Sequence, residues 1–429
     1  MPPADISGVM EHRSRPGGPE HPDPLGYESS VYSEGLRYQR PPFTFKPLEW
    51  EGLAAERMSA DAWGYVAGSA GTGETAGKNR AAFARWSIVP RRLVGNGGGG
   101  SGGGFPALSA VVLGRDYPFP VACAPVGVQA IVNPDGERAT AAAAAREGVP
   151  YVMSTASSTS IEDVAAASGD GVRWFQLYWP RNEHLDFTLS MLRRAEAAGF
   201  SALFVTLDAY TLGWRPSDMD NGYNPFLRPD RIGVAIGLTD PVFRSRFKAE
   251  HGKEVEEDMG AAVRLWTHTV FPGFSHSFED VKILQEHWKG PIILKGIQSV
   301  EDAKKCVEVG VQGIVVSNHG GRQSDGGNSS LGVLPHIVDA VGDKIDVLFD
   351  SGIRCGADIA KALALGAKMC LVGRPYIYGL ALGGESGVSH VLKSLLGDLQ
   401  LTLHLAGIPS SSPEHLNRSV LTKEEDLFR

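Results

Sequence analysis

The sequence predicts an α/β protein built as a (β/α)8 TIM barrel, and three observations carry that expectation. From residue 119 onward, short β-type apolar runs alternate with helical segments through eight strand-plus-helix units. The runs are near-continuously apolar, as strands are when helices cover both faces of a parallel sheet. Eight such units over roughly 250 residues is the count of a barrel. The rival is a doubly wound open sheet. It would more usually have fewer strands, and no G-x-G-x-x-G follows the first strand here.

Residues 1–44 are rich in Pro, Gly and charge and poor in apolar periodicity, which predicts a mobile or surface-wrapping arm. Residues 47–86 turn helical, through EWEGLAAERMSADAWGYVAGSAG and GETAGKNRAAFARW, giving an N-terminal helical extension to the barrel. NGGGGSGGG (96–104) has linker composition, native or engineered. A Gly-rich phosphate loop should open a helix, whereas this one runs into FPALSAVVLG, which reads as strand.

The barrel units then follow. FPVACAP precedes RATAAAAAREG, VPYVMST precedes SIEDVAAAS, and RWFQLYW precedes LDFTLSMLRRAEAAG. ALFVTLD comes next, ahead of a long irregular insertion at about 216–276. PIILKG, GIVVSNHGG, IDVLFDSG and KMCLVGRP complete the eight, each with its helix. The barrel domain is expected over residues 45–420, with 421–429 as a C-terminal tail. Seventy-six positions separate Arg215 from Pro291, and a connection that long in a compact domain is usually functional, here lid-like.

Composition narrows the classes. The 429 residues are 42% hydrophobic and 21% charged with a net charge of −8, acidic and basic residues interspersed, so neither a nucleic-acid surface nor a membrane span is expected. Four scattered cysteines without C-x-x-C spacing fit buried apolar residues in a reducing compartment and no metal site. The N-terminus lacks an apolar h-region and the C-terminus a peroxisomal tripeptide, so the cytoplasm is the expected location.

Reactive groups of such barrels come from the C-terminal ends of the strands. In order these carry Ala124-Pro125-Val126-Gly127, Ser154-Thr155, Gln176 with Tyr178, Thr206 with Asp208, Lys295, His319, Asp350, and Gly373-Arg374. The last two ends, DSGIR and GRP, add glycines to Arg354 and Arg374, a phosphate seat unless both arginines only make surface ion pairs. Arg215 and Arg322 are two planar forks that suit a small carboxylate, with His319 as acid/base partner and Asp208 as its orienter. Taken alone, His319 would more often be an ordinary core or surface histidine; its convergence with these groups on one rim points to chemistry. A phosphate-bearing cofactor beside a small acid indicates redox chemistry.

YVAGSAGTGETAGKNRAAF, CAPVGV, FQLYW, TLDAYTLGWR, ILKGI, SNHGGRQ, DSGIRCGADIAKALALGA and GRP together resemble the FMN-dependent α-hydroxy-acid oxidising family, in order from about residue 45 to 420. The resemblance implies FMN on the C-terminal rim. It implies Tyr65 and Tyr178 as substrate-contacting tyrosines, Arg215 and Arg322 as the carboxylate pair, His319 as catalytic base and Asp208 as its partner. Lys295 would lie beside the flavin pyrimidine. Ala124, Pro125, Val126, Gly127, Ser154, Gln176 and Thr206 would contact the isoalloxazine; Asp350, Gly352, Arg354, Gly373 and Arg374 would hold ribityl and phosphate. No matched position is substituted.

Within the family, TLGWRPSDMD, NPFLRPDR, TDPVFRSRFKAEHG and DSGIR resemble lactate 2-monooxygenase more than glycolate oxidase. Gly127 stands where oxidases of the family usually have alanine, and a missing methyl would open room near the flavin, unless the glycine only serves the backbone turn. The expected reaction is oxidation of L-lactate with O2, the pyruvate being retained and decarboxylated to acetate, CO2 and water. The alternatives are an oxidase releasing the 2-keto acid and H2O2, and a dehydrogenase with another electron acceptor. A homotetramer or homo-octamer is implied.

Overall fold

The computed structural model describes residues 23–94, 104–228 and 232–428. Eight parallel strands close into a barrel: Val121–Cys123, Tyr151–Ser154, Arg173–Tyr178, Leu203–Thr206, Ile292–Ile297, Gly313–Val316, Asp346–Phe349 and Met369–Val372, numbered one to eight below. Each strand pairs with its neighbours in sequence, and the eighth pairs with the first through Cys370↔Val121, Leu371↔Ala122 and Val372↔Cys123. Helices alternate with the strands and cover the outside, as the apolar runs require.

Side chains alternate across each strand, so every second residue points into the barrel. Ala122, Val152, Trp174, Phe204, Ile293, Val315, Leu348 and Leu371 form one fully buried interior cluster. Trp174 stacks on Phe204 with centroids 5.2 Å apart. A hairpin, Ala110–Val112 with Arg115–Tyr117, adds Val112 and Tyr117 to the same cluster and plugs the N-terminal mouth. The next inward residue toward the C-terminal mouth is in turn Ala124, Ser154, Gln176, Thr206, Lys295, Ser317, Asp350 and Gly373. The interior thus changes from apolar to polar within one turn of the register. That change is what builds the site.

Three segments outside the eight units bear on the sequence expectation. Within the stretch expected as an arm, Pro24–Gly35 is a helix capped by Asp23, which accepts from Leu25 N. It docks on the long helix Arg374–Leu405 through Tyr27, whose hydroxyl lies 2.6 Å from His390 Nδ1. Phe43 and Phe45 close on the same imidazole. Anchoring by a few aromatic contacts leaves no periodic apolar stripe to read. The tail strand Leu421–Lys423 pairs antiparallel with Trp86–Ile88. The linker-like NGGGGSGGG falls outside the described residues except Gly104.

The insertion after strand four is folded. Its helices Pro241–His251 and Met259–Val270 bury Phe243, Phe247, Val263 and Trp266 against Phe187 of the helix Leu185–Ala197. Asp240, fully buried, caps the first of these at Val242 N and Phe243 N and pairs with Arg194 at 3.1 Å. Closer to the barrel, Phe226 and Phe271 reach the C-terminal mouth.

Candidate active site

A cleft of about 1010 Å³, part of it open to solvent, lies over the C-terminal mouth. It is lined by Tyr65, Ala124, Pro125, Val126, Gly127, Tyr178, Arg215, Lys295, His319, Arg322, Asp350, Gly352, Arg354, Gly373 and Arg374. Four sequence-predicted residues do not line it. Asp208 stands behind His319, while Ser154, Gln176 and Thr206 sit deeper, in the inward polar layer.

His319 follows strand six in a left-handed backbone conformation, φ 58°, with Gly320 and Gly321 continuing at 66° and 75°. Three consecutive positive-φ residues turn the chain sharply, and glycine bears this where a side chain would be strained. The turn aims the imidazole across strand five, where Nδ1 lies 2.8 Å from Asp208 Oδ1. Burial lowers the His319 pKa below its ordinary 6.5; Asp208 works against this, and Lys295 and Arg215 add to it. The imidazole is therefore neutral near pH 7, leaving Nε2 free to accept a proton. Burial raises the Asp208 carboxyl, but His319 and Lys295 outweigh it and hold the group below its usual range.

Lys295, the inward residue of strand five, contacts Asp350 Oδ2 at 3.2 Å and donates to Ser317 Oγ at 3.0 Å. Burial disfavours its charge, yet Asp350 and Asp208 more than compensate, so the ammonium persists.

The cations on the other side are poorly compensated. Among the described residues, Arg322 Nη1 donates only to the carbonyls of Val66 and Gly68. Burial and the neighbouring Arg215 and Arg374 pull its pKa below the usual range, the signature of a positive charge lacking a counter-ion. Arg215 donates to Arg322 O at 3.1 Å and to Gln323 Oε1 at 2.5 Å, and Asp218 is 4.0 Å away. Both guanidiniums face the ring of Tyr65, at 5.8 and 5.0 Å from its centroid. Tyr65 is carried by the helix Ala60–Ala67, whose C-terminal carbonyls supply partial negative charge to the forks. Arg374 uses the same end, donating to Val66 O at 3.0 Å and Gly68 O at 2.8 Å, and to Gly320 O at 3.2 Å. Arg354 lies 3.7 Å from Glu51. The two arginines expected at a phosphate seat thus both line the cleft, but Arg374 spends several donors on carbonyls.

The loop after strand six is tied down from the N-terminal segment. Asp325 accepts from Thr72 N, Thr72 Oγ1 and Thr75 N, and Asn318 exchanges hydrogen bonds with Asn79. The stretch GTGET before the barrel is thereby a brace for the histidine loop. Sequence reasoning missed three residues here: Ser317, Gln323 and Ser351. Ser317 was readable, standing two residues beyond the inward Val315.

Gly127 corrects an expectation. A Cβ built there would stand 2.6 Å from Ala156 O and 2.7 Å from Ala156 Cβ. The missing methyl points at the loop after strand two, not at open space in the cleft. The glycine is a close-approach residue.

A family model described as FMN-dependent dehydrogenase matches residues 54–423. An FMN-dependent alpha-hydroxy acid dehydrogenase of Schizosaccharomyces pombe is 62% identical over 94% of this chain and 97% of its own length. The chain belongs to the FMN-dependent dehydrogenase family. An L-lactate oxidase of Lysinibacillus sphaericus is 40% identical over 90% of this chain and 95% of its own. The crystal structure of a mandelate oxidase, 34% identical, superposes with a TM-score of 0.73 over 89% of this chain and 99% of that one.

The residues present fit the FMN of this family. Gln176 accepts from Ser154 Oγ at 2.9 Å and from Thr155 N at 3.1 Å, while its Nε2 is buried with no partner among the described residues, a donor left over in the inward polar layer. A Cβ at Gly373 would find nothing closer than Ala124 and Val126 at 3.8 Å, so the eighth strand leaves space above the barrel. Lys295, Arg354 and Arg374 supply the cations a phosphate-bearing flavin needs.

Proposed function

We propose that this family member oxidises a small L-2-hydroxy acid, most simply L-lactate. Arg215 and Arg322 bind the substrate carboxylate, two forks over the Tyr65 ring whose own pairing is incomplete without an anion. His319 Nε2 takes a proton from the bound substrate, and Asp208 at Nδ1 fixes the tautomer and stabilises the imidazolium that results. The Tyr178 hydroxyl, kept protonated first by burial and then by Tyr65, donates a hydrogen bond toward the substrate oxygen. Bound FMN supplies the two-electron acceptor. Lys295 keeps positive charge at the barrel mouth, and Asp350, Gly352, Arg354, Gly373 and Arg374 hold the cofactor's ribityl and phosphate part.

The observation that carries this reading is the half-buried His319–Asp208 pair beside two guanidiniums, neither of which has a carboxylate nearer than 4.0 Å among the described residues. Its test is anaerobic mixing of the yellow protein with L-lactate: bleaching of the flavin is expected, and an unchanged spectrum across short-chain L-2-hydroxy acids would refute it.

For the fate of the product, we infer retention and decarboxylation to acetate, CO2 and water, supported by Phe226 and Phe271, which the insertion brings over the cleft. The packing of Gly127 against Ala156 favours the second reading, release of the 2-keto acid with H2O2, because it removes the argument for extra room. Assaying CO2 against H2O2 under air separates the two. The oligomer, homotetramer or homo-octamer, belongs to the same proposal and is read by sedimentation.

A further inference from the structure

Ser351 follows strand seven with φ 88° although its side chain makes that conformation costly and the adjacent residue is a glycine. It is buried, and its hydroxyl both accepts and donates. Gly320 N donates to Ser351 Oγ at 3.0 Å, so the hydroxyl's own proton goes to Asp350 Oδ1 at 2.7 Å. Asp350 Oδ2 faces Lys295, Lys295 donates to Ser317 Oγ, and His319 N donates to that same oxygen at 3.1 Å. These contacts close a ring. It begins at the amide before the His319 Cα and ends at the amide after its carbonyl.

Fixing both amides fixes φ and ψ of His319, and those two angles decide where its Cβ points. Asp208 then needs only to set the ring about the side-chain torsions. The left-handed conformation of His319 is disfavoured for a non-glycine residue, so it persists only while its surroundings hold it. One half of that hold is Ser317, one residue past the end of strand six. The other half comes from a different strand, through Ser351.

We propose that Ser351 is a positioning residue of His319: its hydroxyl anchors the His319–Gly320 backbone to Asp350 and Lys295, so that the aim of the imidazole depends on strand seven. The assignment rests on the reading of His319 as the base. A serine is kept in a backbone conformation suited to glycine because glycine offers no hydroxyl to make the link.

Two variants separate the hydroxyl from the backbone shape. Ser351→Ala keeps a Cβ and loses the hydroxyl; Ser351→Gly relieves the strain and also loses it. The first readout needs no turnover. Amide hydrogen exchange of the peptide spanning 317–323, on FMN-loaded protein, should quicken about tenfold or more in both variants, with exchange elsewhere in the barrel unchanged. The second is rapid-mixing flavin reduction by L-lactate: the limiting rate should fall at least tenfold in both, with apparent substrate affinity within about threefold and FMN retained. Wild-type exchange in either variant overturns the proposal whether or not the protein oxidises hydroxy acids. So does a Ser351→Gly protein reduced at the wild-type rate, or a loss explained by departed FMN. A wild-type flavin that no L-2-hydroxy acid bleaches, with the exchange result as expected, removes the proposed function and leaves the Ser351 anchor standing.

Discussion

At the scale of single residues, the site is a contest between burial and charge, and His319 shows who wins. Burial keeps the imidazole neutral against the pull of Asp208. In the proposed reaction the neutral form is the base, so flavin reduction should fall as pH drops through the His319 pKa, below 6.5, and should be flat above it. A rate that keeps climbing between pH 7 and 9 would contradict this. Asp208→Asn removes the group that raises the histidine's pKa, so the inflection should move to lower pH while the plateau rate drops. His319→Ala should cost on the order of 10²–10⁴ in reduction rate while FMN stays bound, read by stopped-flow absorbance. Gly127 makes a separate prediction. Alanine there must displace Ala156, and overpacking of this kind costs about 1–3 kcal/mol, measurable by urea unfolding. Unchanged stability would mean the loop after strand two yields freely.

At the scale of elements, the insertion behaves as a docked subdomain rather than a loose cover. Asp240 holds it at one point, pairing with Arg194, accepting from Ser190 Oγ and capping the helix Pro241–His251. Removing one partner of a buried pair costs about 3–5 kcal/mol, and here Arg194 retains Glu162 at 2.8 Å, which places Asp240→Ala near the lower end. The effect should fall on the insertion: Phe226 and Phe271 lose their backing, KM for the hydroxy acid rises, and the limiting reduction rate holds. A fall in that rate with KM unchanged would mean the insertion shapes the chemistry directly. The barrel itself was legible because eight apolar runs ending in polar residues have one economical solution. The docking of Pro24–Gly35 was not, because a few aromatic contacts around His390 leave no period in the sequence. His319, Asp208, Arg215 and Arg322 could be read from the strand ends. Ser351 could not, since its importance lies in a positive φ and a contact 31 residues away.

At the scale of the whole molecule, the barrel interior is apolar up to one layer and polar above it, and the polar layer is where stability and function oppose each other. Gln176 Nε2 is buried without a partner among the described residues, and Lys295 and Asp350 are buried charges that neutralise each other. An unpaired buried donor costs free energy that a bound ligand can return. A flavin seated on this layer should therefore stabilise the entire barrel, not only its mouth, because the interior strands unfold as one unit. By mass action the gain is about 2.7 kcal/mol at a hundredfold excess over the dissociation constant. Stripping FMN should lower the unfolding midpoint, and titrating it back should raise the midpoint continuously with the logarithm of FMN concentration. Lys295→Met should weaken FMN binding, so that the rise begins at a higher FMN concentration, and should destabilise the stripped protein as well, since Asp350 is left as a buried carboxylate without its cation. A midpoint indifferent to FMN would show that the polar layer is satisfied without it, and that the spare donor of Gln176 is not where the cofactor binds.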